Sequence, residues 1–229
     1  MMLWLAIPLT ALLYLLVKKL SRRYKSPLMN TIMLPALAII ALLLLTGQDP
    51  ADYQAGTRPL TLLLELAVVS FALPLYQQAA KIRQRRWPIV LCCSLSALIS
   101  VGTTLVIGGM MQAEPRLLAS ITTKSITTPL AMSVSQTMGG IPAIAAGLVI
   151  IVGMMGAIIG FPLLKWAGIH NPEAQGLAMG ASAHAIGTGA AVDAGPVQGA
   201  FASLAMVVCG IATAVLAPPL FHLYLWLIH

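Results

Sequence analysis

Residues 88–111 run without a single charged side chain and are mainly apolar. A segment of that length suits one environment, because about 20 mainly apolar residues in a helix cross a hydrocarbon core of about 30 Å. The pattern recurs. Residues 3–17, 31–46 and 60–76 precede this run, while residues 141–164 and a long stretch beginning near residue 197 follow it. Only 8% of the residues are charged and 59% are apolar, against about 25% charged in an ordinary soluble domain. Lipid offers no hydrogen-bonding partner to an open backbone, so the predicted fold class is an all-α polytopic membrane protein, a helical bundle forming a single membrane domain.

The formal net charge of +7 would suit nucleic acid if the cations shared one soluble face. They do not. Nine of the thirteen basic residues fall in two clusters, Lys18, Lys19, Arg22, Arg23 and Lys25, then Lys81, Arg83, Arg85 and Arg86, each between apolar runs. This is the positive-inside pattern of a protein whose partner is the lipid bilayer. It places residues 18–25 and 77–87 in the cytoplasm and the acidic loop at 47–59 outside. The first apolar run has no preceding basic region or small-residue cleavage site, so it reads as a retained helix with its amino terminus periplasmic. Glu65 interrupts the third run and reads as packing toward a partner or an interior cavity.

Cys92, Cys93 and Cys209 lie inside apolar runs, where they read as small packing residues, since adjacent cysteines do not bridge each other. His170, His184, His222 and His229 are scattered without ligand spacing, so no metal or other cofactor is implied.

The chain divides at about residue 112. Residues 1–112 read as a scaffold of four spans, and residues 113–229 as a region with two polar segments, 117–140 and 176–195. The first contains "KSITTPLAMSVSQTMGGIP", with six hydroxyl side chains and a glutamine, and the second is "GLAMGASAHAIGTGAAVDAG". Each precedes a strongly apolar run. A shift of 57 positions carries Ser125 onto Ser182, Gly153 onto Gly210 and Pro162 onto Pro219, as an internal repeat would. If both segments are broken helices that re-enter the membrane, one full span between them makes the repeat inverted, and the breaks meet near the midplane. Pro129, Gly139, Gly140, Pro142, Gly187 and Gly189 are the expected helix breakers. The alternative is two ordinary crossing helices packed through small residues.

Lys124, Ser125, Thr127, Thr128, Ser133, Gln136, Ser182, His184 and Thr188 are the candidate substrate-binding residues of such a midplane site. Each has a plainer reading: the Lys124 amine snorkels to the interface, and the hydroxyls bond back to helix carbonyls. His184 and Asp193 are candidates for proton coupling, with His184 expected to find a partner among Thr127, Thr128 and Ser125 or a bound water. Its alternative is a neutral imidazole held on a neighbouring carbonyl. No catalytic residues are assigned, because Ser182 and His184 are too close in sequence for an obvious nucleophile and base. Gly156 with Gly160, and Gly176 with Gly180, signal close helix contact.

"KSITTPLAMSVSQTMGGIPAIAA" and "GASAHAIGTGAAVDAGPVQGAFASLAM" resemble the two signature regions of the LrgB/CidB family of bacterial inner-membrane proteins, over roughly the whole chain. One departure follows "HAIGT", where relatives commonly carry a basic residue and a glutamate and this chain has Ala190 and Asp193. The resemblance implies a small LrgA/CidA-type membrane partner and a holin-like or antiholin-like modulation of murein hydrolase activity and lysis. Through relatives that include a plastid fusion moving glycolate and glycerate, it also implies transport of small carboxylates such as pyruvate. Joined to the polar midplane, the leading expectation is a secondary transporter, or its transport subunit, for 2-hydroxy or 2-keto monocarboxylates, working as a homodimer. The second is a holin-like pore-forming or regulatory protein without substrate specificity. An even number of crossings would place both termini in the periplasm.

Overall fold

The computed structural model describes residues 2–23, 33–60, 63 and 72–228. Glu65, Lys25, His229 and most of the third apolar run lie outside them. All described elements are helical, and contacts divide the chain into two compact units, Met1–Ser70 and Phe71–His229.

In the first unit, α1 (Met2–Arg23) is a 22-residue helix, about 33 Å long at 1.5 Å per residue. It continues past the apolar run into the basic cluster, because Lys and Arg are good helix formers and cations suit a helix C-terminus. Lys18 lays its ammonium 5.4 Å from the centre of the Tyr14 ring. Helix α2 (Met33–Thr46) follows, and then the loop expected at 47–59 folds into α3 (Pro50–Gly56). Asp49 caps α3 by accepting from the Ala51 amide at 2.8 Å, with Pro50 at the first helical position, where a missing N–H costs nothing. The Tyr53 hydroxyl ties α3 to α1 through Thr10 at 2.6 Å.

The second unit comprises α4 (Ala72–Gln77), α5 (Ala79–Gln84), α6 (Arg86–Met110), α7 (Pro115–Ile121), α8 (Thr128–Thr137), α9 (Pro142–Trp166), α10 (Pro172–Ala194) and α11 (Pro196–Ile228). Among the described residues, three helices are long and apolar enough to cross a membrane: Arg86–Met110, Pro142–Trp166 and Pro196–Leu227. Helix α6 packs within this unit, alongside α11. The two run parallel. Ile89 and Cys93 near the start of α6 cluster with Phe201, Ala205 and Cys209 of α11, and at the other end a side chain at Gly109 would strike the Tyr224 ring.

The interior is rich in small residues beside a few large ones such as Phe201, Phe221 and Leu118, and large aliphatic side chains dominate the exterior. Ala97, Ala145, Ala183, Ala200 and Ala205 are buried, whereas Leu95, Ile99, Val106, Met155 and Val215 each expose more than half of their surface. Lipid tails solvate Leu as well as a protein core does, so association comes from close backbone approach.

Both polar segments are interrupted. The first breaks between α7 and α8, at residues 122–127, and the second breaks inside α10 at His184, whose φ of 41° and ψ of −131° are not helical. In the first, Thr123 donates to the Ala131 carbonyl at 3.3 Å and the Ile141 amide donates to Ser120 at 2.7 Å, so α7 and α8 lie side by side. In the second, Gly180 and Thr188, on opposite sides of the break, both meet the Ala202 carbonyl of α11. The shift of 57 residues that carries Pro115 onto Pro172 also carries Thr127 onto His184 and Thr137 onto Ala194. Start, break and end of the two segments therefore coincide.

Candidate functional site

The two breaks come together beside the middle of α6. Ser125 of the first segment shares a hydrogen bond of 2.7 Å with Ser100. The Lys124 ammonium donates to the Ser100 carbonyl at 3.3 Å and to the Thr104 hydroxyl. Among the described residues the ion pair is Arg85 with Glu173, at 3.2 Å, so Lys124 is held by neutral acceptors and not by a carboxylate. A cavity of about 540 Å³ opens here, with Ser96, Ser100, Ser125 and Ser182 among apolar walls of Leu95, Ile99 and Val152. Ser182 is exposed, and its hydroxyl bonds back to the Ala178 carbonyl at 2.7 Å.

His184 is buried, and its Nε2 lies 2.9 Å from the Val149 carbonyl of α9. A carbonyl only accepts, so Nε2 carries a proton in this bond. Its partner is thus this backbone oxygen, not Thr127, Thr128 or Ser125. The cause is local: the break turns the ring toward α9, and Gly153 makes room for it, since a Cβ there would lie 2.6 Å from His184 Cε1. The same face of α9 carries Gly156 against Ala183 and Gly160 against Met179, while Gly176 and Gly180 of α10 face Gln198, Phe201 and Ala202 of α11. The two GxxxG pairs are therefore the sites of close helix approach.

Several sequence candidates fall elsewhere. Ser133, Gln136 and Asp193 are exposed and Thr128 is half-buried. Asp193 lies one residue from the end of α10 and does not pair with His184. Thr188 is buried and donates to the Ala202 carbonyl at 3.4 Å. Thr127 forms the N-cap of α8 without a side-chain cap bond. The expected breakers need correction. Pro129 and Pro142 sit at the second position of α8 and the first of α9, where they open these helices, and Gly139, at φ +78°, ends α8 beside Gly140. Gly187 and Gly189 interrupt nothing, because the backbone leaves helical geometry at His184; Gly187 is small because Ala183 and the Met179 carbonyl press on it.

Sequence reasoning missed Ser96, Ser100 and Thr104, which recur every fourth residue on one face of an otherwise apolar helix. That spacing was the available signal. Ser135, one of the hydroxyls of the first polar segment expected either to bond back to a helix carbonyl or to line a wet path, is instead buried against Gly140 with no hydrogen-bond partner among the described residues.

Residues 10–223 match the model of the LrgB-like family. The chain is 40% identical over 220 residues to an uncharacterized protein of Haemophilus influenzae, covering 94% of this chain and 93% of that one. It is 34% identical over 223 residues to the holin-like protein CidB of Staphylococcus epidermidis, covering 96% of each. With the antiholin-like protein LrgB of Bacillus mycoides it shares 31% identity over 167 residues, 73% of each chain. No solved structure matches it.

These relatives overturn the leading functional expectation. The Staphylococcus and Bacillus proteins are named for holin-like and antiholin-like behaviour, not for moving 2-hydroxy or 2-keto monocarboxylates, and they favour the second expectation. The physical reason is that hydroxyls and broken helices line selective and non-selective hydrated paths alike, so they do not by themselves assign a solute. The apolar spans and the family match make the chain a multi-pass inner-membrane protein.

Proposed function

Because the chain belongs to the LrgB-like family, we propose that it acts as a holin-like or antiholin-like membrane protein that modulates murein hydrolase activity and lysis. The observation that carries this reading is the near full-length likeness to a protein named holin-like, 96% of each chain. A physical route accompanies it. The two interrupted segments are re-entrant hairpins of an inverted repeat, the first entering beside the C-terminal end of α6 and the second beside its N-terminal end, where Arg85 meets Glu173. Gly108 close to Leu118, and Ser100 bonded to Ser125, support the first path. The hairpin tips leave a hydroxyl-lined weak point in the hydrocarbon layer, which the protein opens or keeps closed.

The basic residues at the start of α6 put that end in the cytoplasm. On this reading α11, parallel to α6, ends in the periplasm, and so does the amino terminus. A small LrgA/CidA-type membrane protein is the proposed partner, and the exposed apolar surfaces of the spans are where it docks.

The test pairs cells with liposomes. Cells lacking the gene, and cells overexpressing it, should differ from the parent in autolysis rate and in murein hydrolase activity. Purified protein with its partner should change the leakage of unrelated small dyes, without saturation. Unchanged lysis together with saturable, competable movement of a single solute would overturn the proposal.

A further inference from the structure

Cys93 of α6 and Cys209 of α11 meet across the parallel packing of these two helices. Cys209 Sγ donates to the Cys93 carbonyl at 3.5 Å, and the two side chains share one buried cluster. Both are buried, at 1% and 2% exposure, among Ile89, Phe201 and Ala205. Cys92, by contrast, is exposed. A single thiol in such surroundings oxidises slowly and goes no further than its own oxidised forms. Two neighbouring thiols on different helices have a further route, because an oxidised sulfur on one is within reach of the other.

We infer that Cys93 and Cys209 form an oxidation site that closes into an intramolecular disulfide when a hydroperoxide enters the bilayer. A neutral hydroperoxide is the fitting co-reactant, since the pair is enclosed by apolar side chains that exclude charged oxidants. One thiol sulfur attacks the distal peroxide oxygen. The O–O bond breaks, the sulfur becomes a sulfenic acid, and the remaining oxygen leaves as water or an alcohol with the thiol proton. The second thiol then attacks the sulfenic sulfur, the S–S bond forms, the S–O bond breaks, and water departs with the second proton. Two electrons leave the thiols and two reduce the peroxide. The product ties α6 covalently to α11, where non-covalent packing otherwise holds them together.

The test uses the full chain in nanodiscs. Hydrogen peroxide is added, the protein is denatured, and free thiols are counted by a maleimide mass tag. Tags should fall from the three native cysteines to one, on Cys92, with recovery on adding dithiothreitol and a linked Cys93–Cys209 peptide in the digest. Cys92→Ser should still close the bridge. Cys93→Ser should not, and should leave an oxidised Cys209 that dimedone traps. If either variant fails to fold, the peptide map of the parent decides alone. Free Cys93 and Cys209 after peroxide treatment, or oxidation confined to Cys92 or to bridges between chains, would overturn the inference.

Discussion

The His184 imidazole and the Val149 carbonyl, 35 residues apart in sequence, are joined by a buried hydrogen bond of 2.9 Å. The carbonyl belongs to an unbroken helix and the imidazole to the one residue at which α10 leaves helical geometry. The bond therefore fastens a strained backbone position to a rigid neighbour, and that is the condition under which such strain persists.

Gly153→Ala should disturb that bond directly, since the added methyl falls on the imidazole. A loss of about 1–3 kcal/mol is expected from overpacking, read as a lowered thermal transition in detergent. In a background of His184→Ala the same change should cost much less, because the obstacle is gone. Equal costs in both backgrounds would place the ring elsewhere.

Ser135→Ala should be neutral or stabilising. Its hydroxyl is buried with no partner among the described residues, and removing an unsatisfied polar group recovers a desolvation cost of about 1–3 kcal/mol. A clear fall in the thermal transition would reveal a partner for the hydroxyl, such as a bound water.

Lys124→Met is expected to keep the fold and match or exceed the parent in thermal stability. The ammonium is desolvated against neutral acceptors alone, and an apolar side chain of similar length avoids that cost. A large loss of folded protein would show that a carboxylate or an anion compensates the charge.

Single cysteines in an otherwise cysteine-free chain test the hairpin paths. Gln112→Cys and Gly139→Cys should react with an impermeant maleimide from the periplasm, whereas His170→Cys should react only from the cytoplasm. Labelling at 139 from the cytoplasm would mean that the first polar segment crosses the membrane.

Much of the fold was legible because apolar length is an additive, local signal. The run at 141–164 became Pro142–Trp166, whereas the breaks fell before Thr128 and at His184 and not at the expected prolines and glycines. The site was less legible, because partners in it are set by which backbone oxygen happens to be near. Nothing local in "SAHAIGT" points to Val149. Gly187 looked like a breaker, yet it is a contact surface, and composition alone does not separate these two uses of glycine. The serines of α6 were overlooked because their helix reads as uniformly apolar when averaged along its length.

An interior of Ala, Gly and Ser beneath an exterior of Leu, Ile and Val inverts the freedom that a water-soluble protein has to vary. Leu95, Ile99, Val106 or Met155 can be exchanged for another greasy side chain with little consequence, because the bilayer is a fluid neighbour that reshapes itself. At Gly156, Gly160, Gly176 and Gly180 the allowance is smaller than one methyl group. The information that distinguishes this architecture from any other greasy chain therefore resides in its smallest residues.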